Sequence, residues 1–425
     1  MAKASKEEQR KAPILRFKGF TDDWEQRKLG NLMEIGSVKR IHMNEWKNTG
    51  VPFFRARDIV AKFNNKKISD PIYISEKTYN SNILKSGKVK KGQLLITGVG
   101  TIGIPYLITD DSPLYFKDGN VIWLKNNNYD GNFIFYFFTT NLFKNYLFKI
   151  TGTGTVGTYT IENAKKTPIS IPQLNEQIRI GKLFNILENL LTLYERKFKL
   201  LSRVKKYFLD NLFAEKEYPN LRFKGFTNTW EKIKLKDTQT TLTDGNYANL
   251  YPKPTDMTDA DKGIPFLTGG NLKDGILDLK NAKYITKEKH SQLKSGHLEE
   301  DDIVIAVRGS LGELGYVTKQ NIDWNINSQL AIIRTSKNEL IGNFLLYFFL
   351  SSKGKSKLLS RQTGTALKQL PLQQLKTIVI PKTLLLEQQK ISNILKTIDK
   401  TISFYKDKQQ HLAEIKNTLL NTMFI

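Results

Sequence analysis

Two stretches of the chain carry apolar residues at alternating three- and four-residue intervals, the pattern of a helix that buries one face. The first seam consists of Ile180, Leu183, Leu187, Leu190, Tyr194, Leu201, Val204 and Phe208. Adding 211 to these numbers gives a second seam, which contains Ile391, Ile394, Ile398, Tyr405, Leu412, Ile415 and Leu419. Because two matching apolar seams gain free energy by burying each other, we predict a pair of long antiparallel helices.

The two seams also share a polar position. Lys197 stands in the core frame of the first and Lys408 in that of the second, while Thr401 replaces Leu190 and makes the second seam weaker. Residues 180–208 would span about 43 Å at roughly 1.5 Å per residue, slightly more than the roughly 34 Å of one turn of B-DNA. The helices could therefore hold two domains over neighbouring grooves; a helical core with no spacing role is the alternative.

Short β-branched and aromatic runs, ended by Gly, Asn, Asp or Pro, occupy the sequence outside the seams and predict strands. We predict strands at 72–75, 93–97, 121–124, 303–307 and 330–334, and helices with one apolar face at 132–147 and 343–359. The predicted fold class is therefore α+β.

The chain contains an internal duplication. Residues 15–29 return at 221–235 with 11 of 15 positions identical. Further matches are 50–59 with 263–272, 92–103 with 301–312, 132–138 with 343–349, Thr153-Gly-Thr155 with Thr363-Gly-Thr365, and Ile171-Pro172 with Ile380-Pro381. Segments 60–90 and 273–299 do not match. This pattern indicates one framework that carries two different recognition surfaces.

The duplication and the seams together predict four segments. Residues 1–172 and 219–381 would form two homologous mixed α/β domains, and residues 173–218 and 382–425 two helical spacers. Antiparallel packing of the spacers would relate the halves by a pseudo-two-fold axis.

The net charge of +25 points to a polyanionic partner, with nucleic acid as the leading candidate. Residues 1–213 have 35 Lys and Arg against 19 Asp and Glu, and the remainder 31 against 22, so both halves are basic. A lysine-rich surface that only maintains solubility is the alternative. The longest apolar run, 344–350, is too short for a membrane span, and we expect a cytoplasmic protein.

Motifs for catalysis are weak in this sequence. There is no cysteine, and the four histidines show no carboxylates at ligand spacing, so we expect no metal site. Gly98–Gly103 formally matches a dinucleotide fingerprint, but Pro105 follows and the second copy lacks the first glycine, which favours a hairpin turn. No Walker loop occurs. We therefore expect a protein that binds and carries no catalytic site.

A resemblance to a known family rests on an ordered set of motifs that occurs twice. Thr151-Gly-Thr-Gly-Thr155, Ile169-Ser-Ile-Pro172, Glu176-Gln177 and the first seam are followed by Thr363-Gly-Thr365, Ile378-Val-Ile-Pro381, Glu387-Gln388 and the second seam. Over residues 14–425 the chain resembles the specificity subunit of type I DNA restriction-modification enzymes. Its second half departs from the first at Pro371, which lies near the equivalent of Glu162.

The resemblance implies two target-recognition domains, each reading one half of a split, asymmetric site in double-stranded DNA. The helices would set the gap and dock two modification subunits, with two restriction subunits as optional further partners. It implies no catalysis and no cofactor in this chain, because S-adenosylmethionine, ATP and Mg²⁺ would be bound by the partner subunits. The helix-pairing and docking residues would be Ile180, Leu183, Leu187, Leu190, Tyr194, Leu201, Ile391, Ile394, Ile398, Tyr405 and Leu412.

Candidate DNA contacts follow from the chemistry of base and phosphate recognition. Arg55 and Arg57 are replaced by Thr268 and Gly270 in the second half, as different half-sites would require, and Asn271 could pair with adenine. Lys88, Lys90 and Lys91 are candidate phosphate contacts, and Arg308 lies in the second turn. Solvated or phosphate-facing arginines are an equally open interpretation.

Three rival functions predict different behaviour. A stand-alone sequence-specific DNA-binding regulator would bind its site tightly without other subunits, although no helix-turn-helix or zinc module is visible. A fused enzyme would be active alone, and a purely structural scaffold would show no salt-dependent DNA affinity.

Overall fold

The computed structural model describes residues 12–151, 157–213, 217–365 and 367–425. The chain divides into two compact units: unit 1 comprises residues 1–195 with 407–425, and unit 2 comprises residues 196–406. Each unit therefore contains one predicted recognition domain and parts of both long helices. The Thr153-Gly-Thr155 segment lies outside the described residues.

The described part of unit 1 combines ten strands with short helices. The strands are β1 (Glu25–Lys28), β2 (Glu34–Gly36), β3 (Trp46–Lys47), β4 (Val51–Phe54), β5 (Ile72–Ile74), β6 (Leu94–Thr97), β7 (Pro105–Leu107), β8 (Tyr115–Phe116), β9 (Val121–Lys125) and β10 (Pro168–Ile171). The helices are α1 (Leu29–Leu32), α2 (Ala56–Phe63), α3 (Glu76–Ser86), α4 (Gly131–Phe137), α5 (Asn141–Thr151) and α6 (Ile161–Lys166), with a 3₁₀ turn at Met43–Glu45. The first long helix, α7 (Leu174–Asn211), follows.

Unit 2 repeats this plan with different inserts. Its strands are β11 (Glu231–Lys234), β12 (Thr241–Asp244), β13 (Ile264–Leu267), β14 (Leu272–Lys273), β15 (Ile276–Leu277), β16 (Lys283–Ile285), β17 (Ile303–Ala306), β18 (Leu314–Tyr316), β19 (Asn325–Ile326), β20 (Leu330–Arg334) and β21 (Val379–Lys382). The helices are α8 (Lys287–Gln292), α9 (Gly342–Leu350), α10 (Ser352–Leu359), α11 (Leu372–Leu375) and the second long helix α12 (Leu385–Thr422). Short 3₁₀ turns lie at Leu235–Asp237, Ala248–Leu250, Pro254–Asp256, Gly269–Asn271 and Lys319–Asn321.

The sheets of the two units share one strand order, although the second sheet has four strands in unit 1 and three in unit 2. An antiparallel four-stranded sheet has the order β2-β9-β6-β7 in unit 1 and β12-β20-β17-β18 in unit 2. A second sheet has the order β3-β5-β4-β8 in unit 1 and β16-β13-β19 in unit 2, and its last pair is parallel in both. The mixed α+β fold predicted from the sequence is thus observed in each unit.

The central sheet of each unit is buried on both faces. In β6, Leu94 and Ile96 join the core formed with α4 and α7, whereas Leu95 joins a second core with Phe53. In β17, Ile303 and Ile305 face one core and Val304 faces the other. Because side chains alternate along a strand, burial on both faces produces the continuous apolar runs that predicted these strands correctly.

Two predicted features differ in the structure. The helices predicted at 132–147 and 343–359 are each two helices. The hydroxyl of Thr140 accepts a hydrogen bond from the Phe143 backbone at 3.2 Å, and that of Ser351 accepts one from Gly354 at 3.1 Å, so each side chain caps a new helix. A Cβ on Gly354 would lie 1.9 Å from the Phe348 carbonyl oxygen, so only glycine fits this corner.

The match of Ile171-Pro172 with Ile380-Pro381 is also wrong by two residues. Glu25 of β1 pairs with Ile171, whereas its equivalent in β11, Glu231, pairs with Lys382. Pro381 therefore occupies the structural position of Ser170, and each of these two residues lies six positions before the glutamate that follows.

Each long helix starts from a buried ion pair with the opening repeat. Arg16 donates two hydrogen bonds to Glu176, Nε at 2.7 Å and a terminal nitrogen at 2.8 Å, and Arg222 does the same to Glu387 at 2.7 and 2.9 Å. Both glutamate side chains are fully buried. The hydrogen bonds with these carboxylates raise the pKa of Arg16 and Arg222, so both remain charged. The planar fork of arginine matches the carboxylate and orients the first turn of the helix.

The adjacent glutamine ties the helix to the domain it leaves. Gln177 Oε1 accepts from the Asp130 backbone at 3.1 Å, and its Nε2 donates to the Pro172 carbonyl at 2.8 Å. Gln388 makes the equivalent bonds to Ile341 at 2.9 Å and Thr383 at 2.8 Å. The repeated Glu-Gln pair is therefore a structural joint.

Within each unit the start of one long helix packs beside the end of the other. In unit 1 the shared core contains Ile180, Phe184, Leu187, Leu420, Met423 and Phe424, and in unit 2 it contains Leu209, Leu212, Phe213, Ile391 and Leu395. In unit 2, Lys197 contacts Tyr405 and Lys205 contacts Asp399, so the numbers rise along one helix as they fall along the other. The predicted antiparallel pairing is confirmed.

An acid–lysine–tyrosine cluster fixes this pairing in both units. In unit 2, Lys205 Nζ lies 2.6 Å from Asp399 Oδ1 and 5.8 Å from the ring centre of Tyr347, whose hydroxyl donates to Asp399 at 2.9 Å. In unit 1, Lys416 pairs with Glu188 and lies 5.9 Å from the Tyr136 ring. Burial first, and Asp399 second, raise the pKa of Tyr347, so its hydroxyl remains a neutral donor.

We predict that Glu176→Gln lowers the free energy of unfolding by about 1.5–3 kcal/mol, because it removes the buried charge to which the part-buried Arg16 guanidinium donates two hydrogen bonds. Urea unfolding curves would measure the change. Glu387→Gln should have a comparable effect in unit 2. Glu25→Gln is the matched control, since Glu25 and its partner Arg27 are both exposed and should contribute little. An E176Q protein with wild-type stability would contradict the anchoring role of this pair.

Candidate nucleic-acid interface

The segment that carries Arg55 and Arg57 forms a capped turn. Asp58 accepts from the Arg55 backbone at 2.9 Å, and its carboxylate also receives the Arg55 side chain at 2.7 and 3.0 Å. A further bond links Arg55 to the Asp70 carbonyl at 2.8 Å. The Arg55 guanidinium is therefore hydrogen-bonded within its own domain, and the role of this arginine is to stabilise the turn.

Arg57 has a different environment. Its side chain is 55% exposed, and its nearest carboxylate oxygens, on Asp58 and Asp70, lie 3.9 and 3.8 Å away. These contacts are too long to occupy the guanidinium fully. Arg57 is therefore the member of the pair that can reach a ligand.

In the equivalent turn of unit 2, the side-chain amide of Asn271 takes the place of the Asp58 carboxylate. Asn271 Oδ1 accepts from the Thr268 backbone at 2.9 Å and from its hydroxyl at 3.0 Å, while Asn271 Nδ2 donates to the Asp278 carbonyl at 2.8 Å. Asn271 is buried, and its position corresponds to Asp58. In both units this side chain closes the turn, and the Asn271 amide is not presented to solvent.

The lysines before β6 are exposed. Lys88, Lys90 and Lys91 lead into the strand, and the backbone N–H groups of Lys90 and Lys91 are fixed by Gln93 Oε1 at 3.0 Å and Asp111 Oδ1 at 2.9 Å. A rigid backbone with exposed ammonium groups suits contacts to phosphate, which need positive charge without base-edge geometry.

Arg308 lies on the exposed hairpin turn between β17 and β18. Its terminal nitrogen donates to the Ser328 carbonyl at 3.1 Å and to the Tyr247 hydroxyl at 3.3 Å, and the guanidinium lies 5.6 Å from the centre of that tyrosine ring. Tyr247 donates to Asp244 at 2.8 Å. Burial, and then Asp244, raise the pKa of Tyr247, which keeps the phenol neutral.

A second turn adjoins Arg308 and was not identified from the sequence. Residues Thr363 and Gln369 exchange backbone hydrogen bonds at 2.9 and 3.0 Å, and Gln369 forms a β-bridge with Arg308. Arg308, Lys368 and Gln369 are all exposed there. No local motif marks this group, because 60 residues separate its members; the Thr363-Gly-Thr365 repeat was its one sequence signal. We name Arg308, Tyr247, Lys368 and Gln369 the unit 2 turn cluster.

In unit 1, the turn that corresponds to the β17–β18 hairpin is Gly98–Gly103. The Gly103 backbone donates to the Thr97 carbonyl at 2.7 Å, and both Gly100 and Gly103 have left-handed φ angles, of 70° and 76°. The interpretation of this glycine-rich segment as a hairpin turn is confirmed. The turn presents Val99 where unit 2 presents Arg308, so the two exposed surfaces differ chemically.

The helix-seam residues fall into two classes. Ile180, Leu187, Ile391 and Ile398 are buried, and Leu183, Leu190, Tyr194, Leu201, Ile394, Tyr405 and Leu412 are half-buried. Leu183 and Leu412 pack on the unit 1 core and Ile394 on that of unit 2. The seams are thus best buried near the helix ends, where the domains add to the packing.

Two histidines contact a carboxylate, although the sequence shows no histidine and carboxylate at ligand spacing. His290 and His297 both lie beside Asp323 in unit 2, at 3.2 and 3.4 Å between nitrogen and oxygen. His297 and Asp323 are 26 residues apart in sequence, so no ligand-spacing motif could reveal this cluster.

Comparison with known proteins identifies the chain. Residues 21–203 and 227–414 each match the family described as "Type I restriction modification DNA specificity domain". The chain belongs to this family, with one copy in each half.

Individual proteins with a similar sequence or fold are specificity subunits of type I systems. A putative type I restriction enzyme MjaX specificity subunit of Methanocaldococcus jannaschii is 23% identical over 95% of this chain and 93% of its own length. A putative specificity subunit of Haemophilus influenzae is 32% identical over 38% of this chain and 40% of its own length. The crystal structure of the S subunit of a type I restriction-modification system from M. genitalium has the same fold, with a TM-score of 0.61 and 16% identity over 97% of this chain and 99% of that one. None of the described helices is long and apolar enough to cross a membrane.

We predict that Arg308→Ala weakens binding of double-stranded DNA and lowers the slope of log affinity against log salt by about 0.9, the value for one lost phosphate contact. Fluorescence anisotropy with the full chain and a labelled duplex, over a range of salt concentrations, would measure both quantities. Lys319→Ala is the control, because Lys319 is exposed beyond the opposite end of the same hairpin. Equal effects of the two variants would show that Arg308 contributes only general charge.

Proposed function

We propose that this chain is the DNA-specificity subunit of a type I restriction-modification complex, in which each unit recognises one half of a split, asymmetric site. The observation that supports this most directly is the same framework present twice with different exposed chemistry. Unit 1 carries α2 with Arg57, where unit 2 has a 3₁₀ turn and the β14-β15 hairpin. Unit 2 carries Arg308, where unit 1 has Val99. Two units that recognised the same DNA sequence would not need these differences.

Arg57 and the unit 2 turn cluster are the first candidates for contact with base edges or phosphates. Arginine donates two parallel hydrogen bonds to guanine, and glutamine to adenine, in the major groove. Lys88, Lys90 and Lys91 would neutralise phosphate. Arg55, Thr268 and Asn271 would act indirectly, because their polar groups close the turns that position these side chains.

The long helices would set the gap and dock two modification subunits, with restriction subunits as optional further partners. In support, α7 carries exposed apolar side chains at seven-residue intervals, Ile186 and Leu193 in unit 1 and Leu200 and Tyr207 in unit 2. Exposed apolar residues repeated on one helix face are typical of a protein-binding surface. A solved structure from a type I R-M system, described as the structural basis of complex assembly and conformational transition, is similar in fold to this chain. It has a TM-score of 0.51 and 15% sequence identity.

Catalysis and cofactors belong to the partners in this proposal. S-adenosylmethionine would bind to the modification subunits, and ATP and Mg²⁺ to the motor subunits. This chain would supply sequence recognition alone. The assembled complex would methylate adenine and, with restriction subunits, cleave DNA.

We predict that exchange of residues 236–377 for the equivalent segment of another family member changes one half of the recognised motif and leaves the other half intact. The exchange points lie between β11 and β21, so the Arg222–Glu387 anchor is retained. Genome-wide mapping of modified adenines, with and without the gene and with the exchanged gene, measures the outcome. Changes in both halves would contradict independent readers, and an unchanged motif would exclude this subunit as the source of specificity.

We predict that seven residues inserted after both Glu195 and Lys406, which are equivalent positions, widen the gap by about three base pairs. A heptad keeps both seams in frame and adds roughly 10 Å at 1.5 Å per residue. Five-residue insertions at the same points are the control, because at roughly 100° per residue they turn the following seam residues by about 140° and should abolish assembly. A gap that remains constant in the heptad variant, while methylation persists, would contradict the spacing role.

A further inference from the structure

Two of the four histidines in the sequence come together with one carboxylate in unit 2. His290 lies on α8, Asp323 precedes β19, and His297 forms a β-bridge with Asn325. One potential ligand atom from each of the three residues lies within 4.8 Å of the others. Among the described residues of the chain, this is the group of three that meets the geometric requirements of a metal site.

The hydrogen bonds of the histidines determine which ring nitrogens carry protons. His297 Nε2 lies 3.0 Å from the Leu293 carbonyl oxygen, which can only accept, so Nε2 carries the proton. His290 Nδ1 lies 2.5 Å from Asn325 Oδ1, and Asn325 Nδ2 points to the Gly296 carbonyl at 3.4 Å. The amide orientation therefore makes His290 Nδ1 a donor as well.

The second nitrogen of each ring is directed at Asp323 and, in the neutral form of the ring, carries a lone pair. His290 Nε2 lies 3.2 Å from Asp323 Oδ2, and His297 Nδ1 lies 3.4 Å from Oδ1. When both rings are neutral, three acceptors converge here without a donor and repel one another, and a bound cation converts this repulsion into ligation. Histidines that ligate metals characteristically donate their other N–H to a carbonyl or amide oxygen, as both do here.

The distances also match a tetrahedral site. Metal–ligand bonds of about 2.0–2.1 Å place neighbouring tetrahedral ligands roughly 3.3–3.4 Å apart. The observed separations, 3.2 Å from His290 Nε2 to Asp323 Oδ2 and 3.4 Å from His297 Nδ1 to Oδ1, are close to that length, and a rotation of the exposed carboxylate would bring one oxygen to both nitrogens. Two imidazole nitrogens with one carboxylate oxygen suit zinc and its neighbours in the first transition row, whereas Mg²⁺ and Ca²⁺ prefer oxygen ligands.

We propose that His290, His297 and Asp323 form a binding site for a divalent transition metal such as Zn²⁺, with water as the fourth ligand. Asp323 is 64% exposed, so an ion can enter from solvent, while the two histidines are better covered. The metal would join α8, the segment at residue 297 and the loop before β19. The site modifies the expectation that this chain holds no metal of its own.

The site belongs to the part of unit 2 that differs from unit 1. Ser75 caps α3 and Thr286 caps α8, and this match places Tyr79 at the position of His290. Leu84-Lys-Ser-Gly87 matches Leu293-Lys-Ser-Gly296, which places Lys88 at the position of His297, so unit 1 has neither histidine at these positions. The metal would therefore stabilise one recognition surface specifically, and its role would be structural.

The test uses the full chain after removal of metal with a chelator and dialysis. Zn²⁺ is titrated in competition with a chelating indicator, and Co²⁺ is added separately because its visible spectrum reports tetrahedral coordination. We expect one ion per chain, a rise in Tm with Zn²⁺ and a tetrahedral Co²⁺ spectrum. Asp323→Asn and His297→Gln should each weaken Zn²⁺ binding by at least about 100-fold, the upper end of what loss of a mere supporting partner costs.

His42→Gln and His411→Gln are matched controls, because these exposed histidines lie outside the cluster and should leave Zn²⁺ binding unchanged. Asp323→Asn is the variant least able to disturb folding, since its side chain is mostly exposed; circular dichroism verifies the fold. Absence of one-to-one binding by the wild type, or equal losses in control and cluster variants, would overturn the proposal. The proposal would also be overturned if the Tm responded to pH through these histidines but not to Zn²⁺ or Co²⁺. Histidine protonation alone would then account for the contacts with Asp323.

Discussion

The buried pair of an arginine and a glutamate, present once in each unit, is the interaction on which the rest of the architecture depends. Arg16 comes from the opening repeat and Glu176 from the first turn of a 38-residue helix, so one ion pair connects two elements 160 residues apart in the chain. Burial of the glutamate makes the geometry strict, because a misplaced arginine would leave a desolvated carboxylate without a counter-charge. The direction in which each long helix leaves its domain follows from this contact.

The second constraint is the balance between a repeated framework and variable surfaces. Asp58 and Asn271 differ in charge, yet each closes a turn by accepting a backbone hydrogen bond three residues back. Because either side chain can accept the backbone hydrogen bond that closes the turn, the residues at neighbouring positions can differ between the two units. A fold with such fixed turns can change the chemistry of its exposed residues without altering its core, which suits a protein whose two halves must recognise different partners.

Charge pairing then defines how the long helices match. An acidic residue on one helix, a lysine on the other and a buried tyrosine form a similar cluster in each unit. The acid is Glu188 in one and Asp399 in the other, and the tyrosine hydroxyl donates to Asn185 in unit 1 and to Asp399 in unit 2. The half-buried apolar residues between the helix ends give limited register information by themselves. The charged cluster adds directionality, because only one alignment brings the lysine beside both the acid and the aromatic ring.

The sequence alone determined the features that arise from local periodicity and repetition: the two helical seams, the main strands, the duplicated α+β framework and the basic character. These are properties of neighbouring residues, so a pattern within a short window reveals them. Only the tertiary structure decided that Arg55 is bound within its domain while Arg57 is exposed, and that Arg308 and Gln369 share a surface. It also decided that His290, His297 and Asp323 converge, because such contacts depend on loop paths that join residues distant in sequence. The shift of Pro381 relative to Pro172 has the same origin, since strand pairing fixes structural equivalence and repeated letters do not.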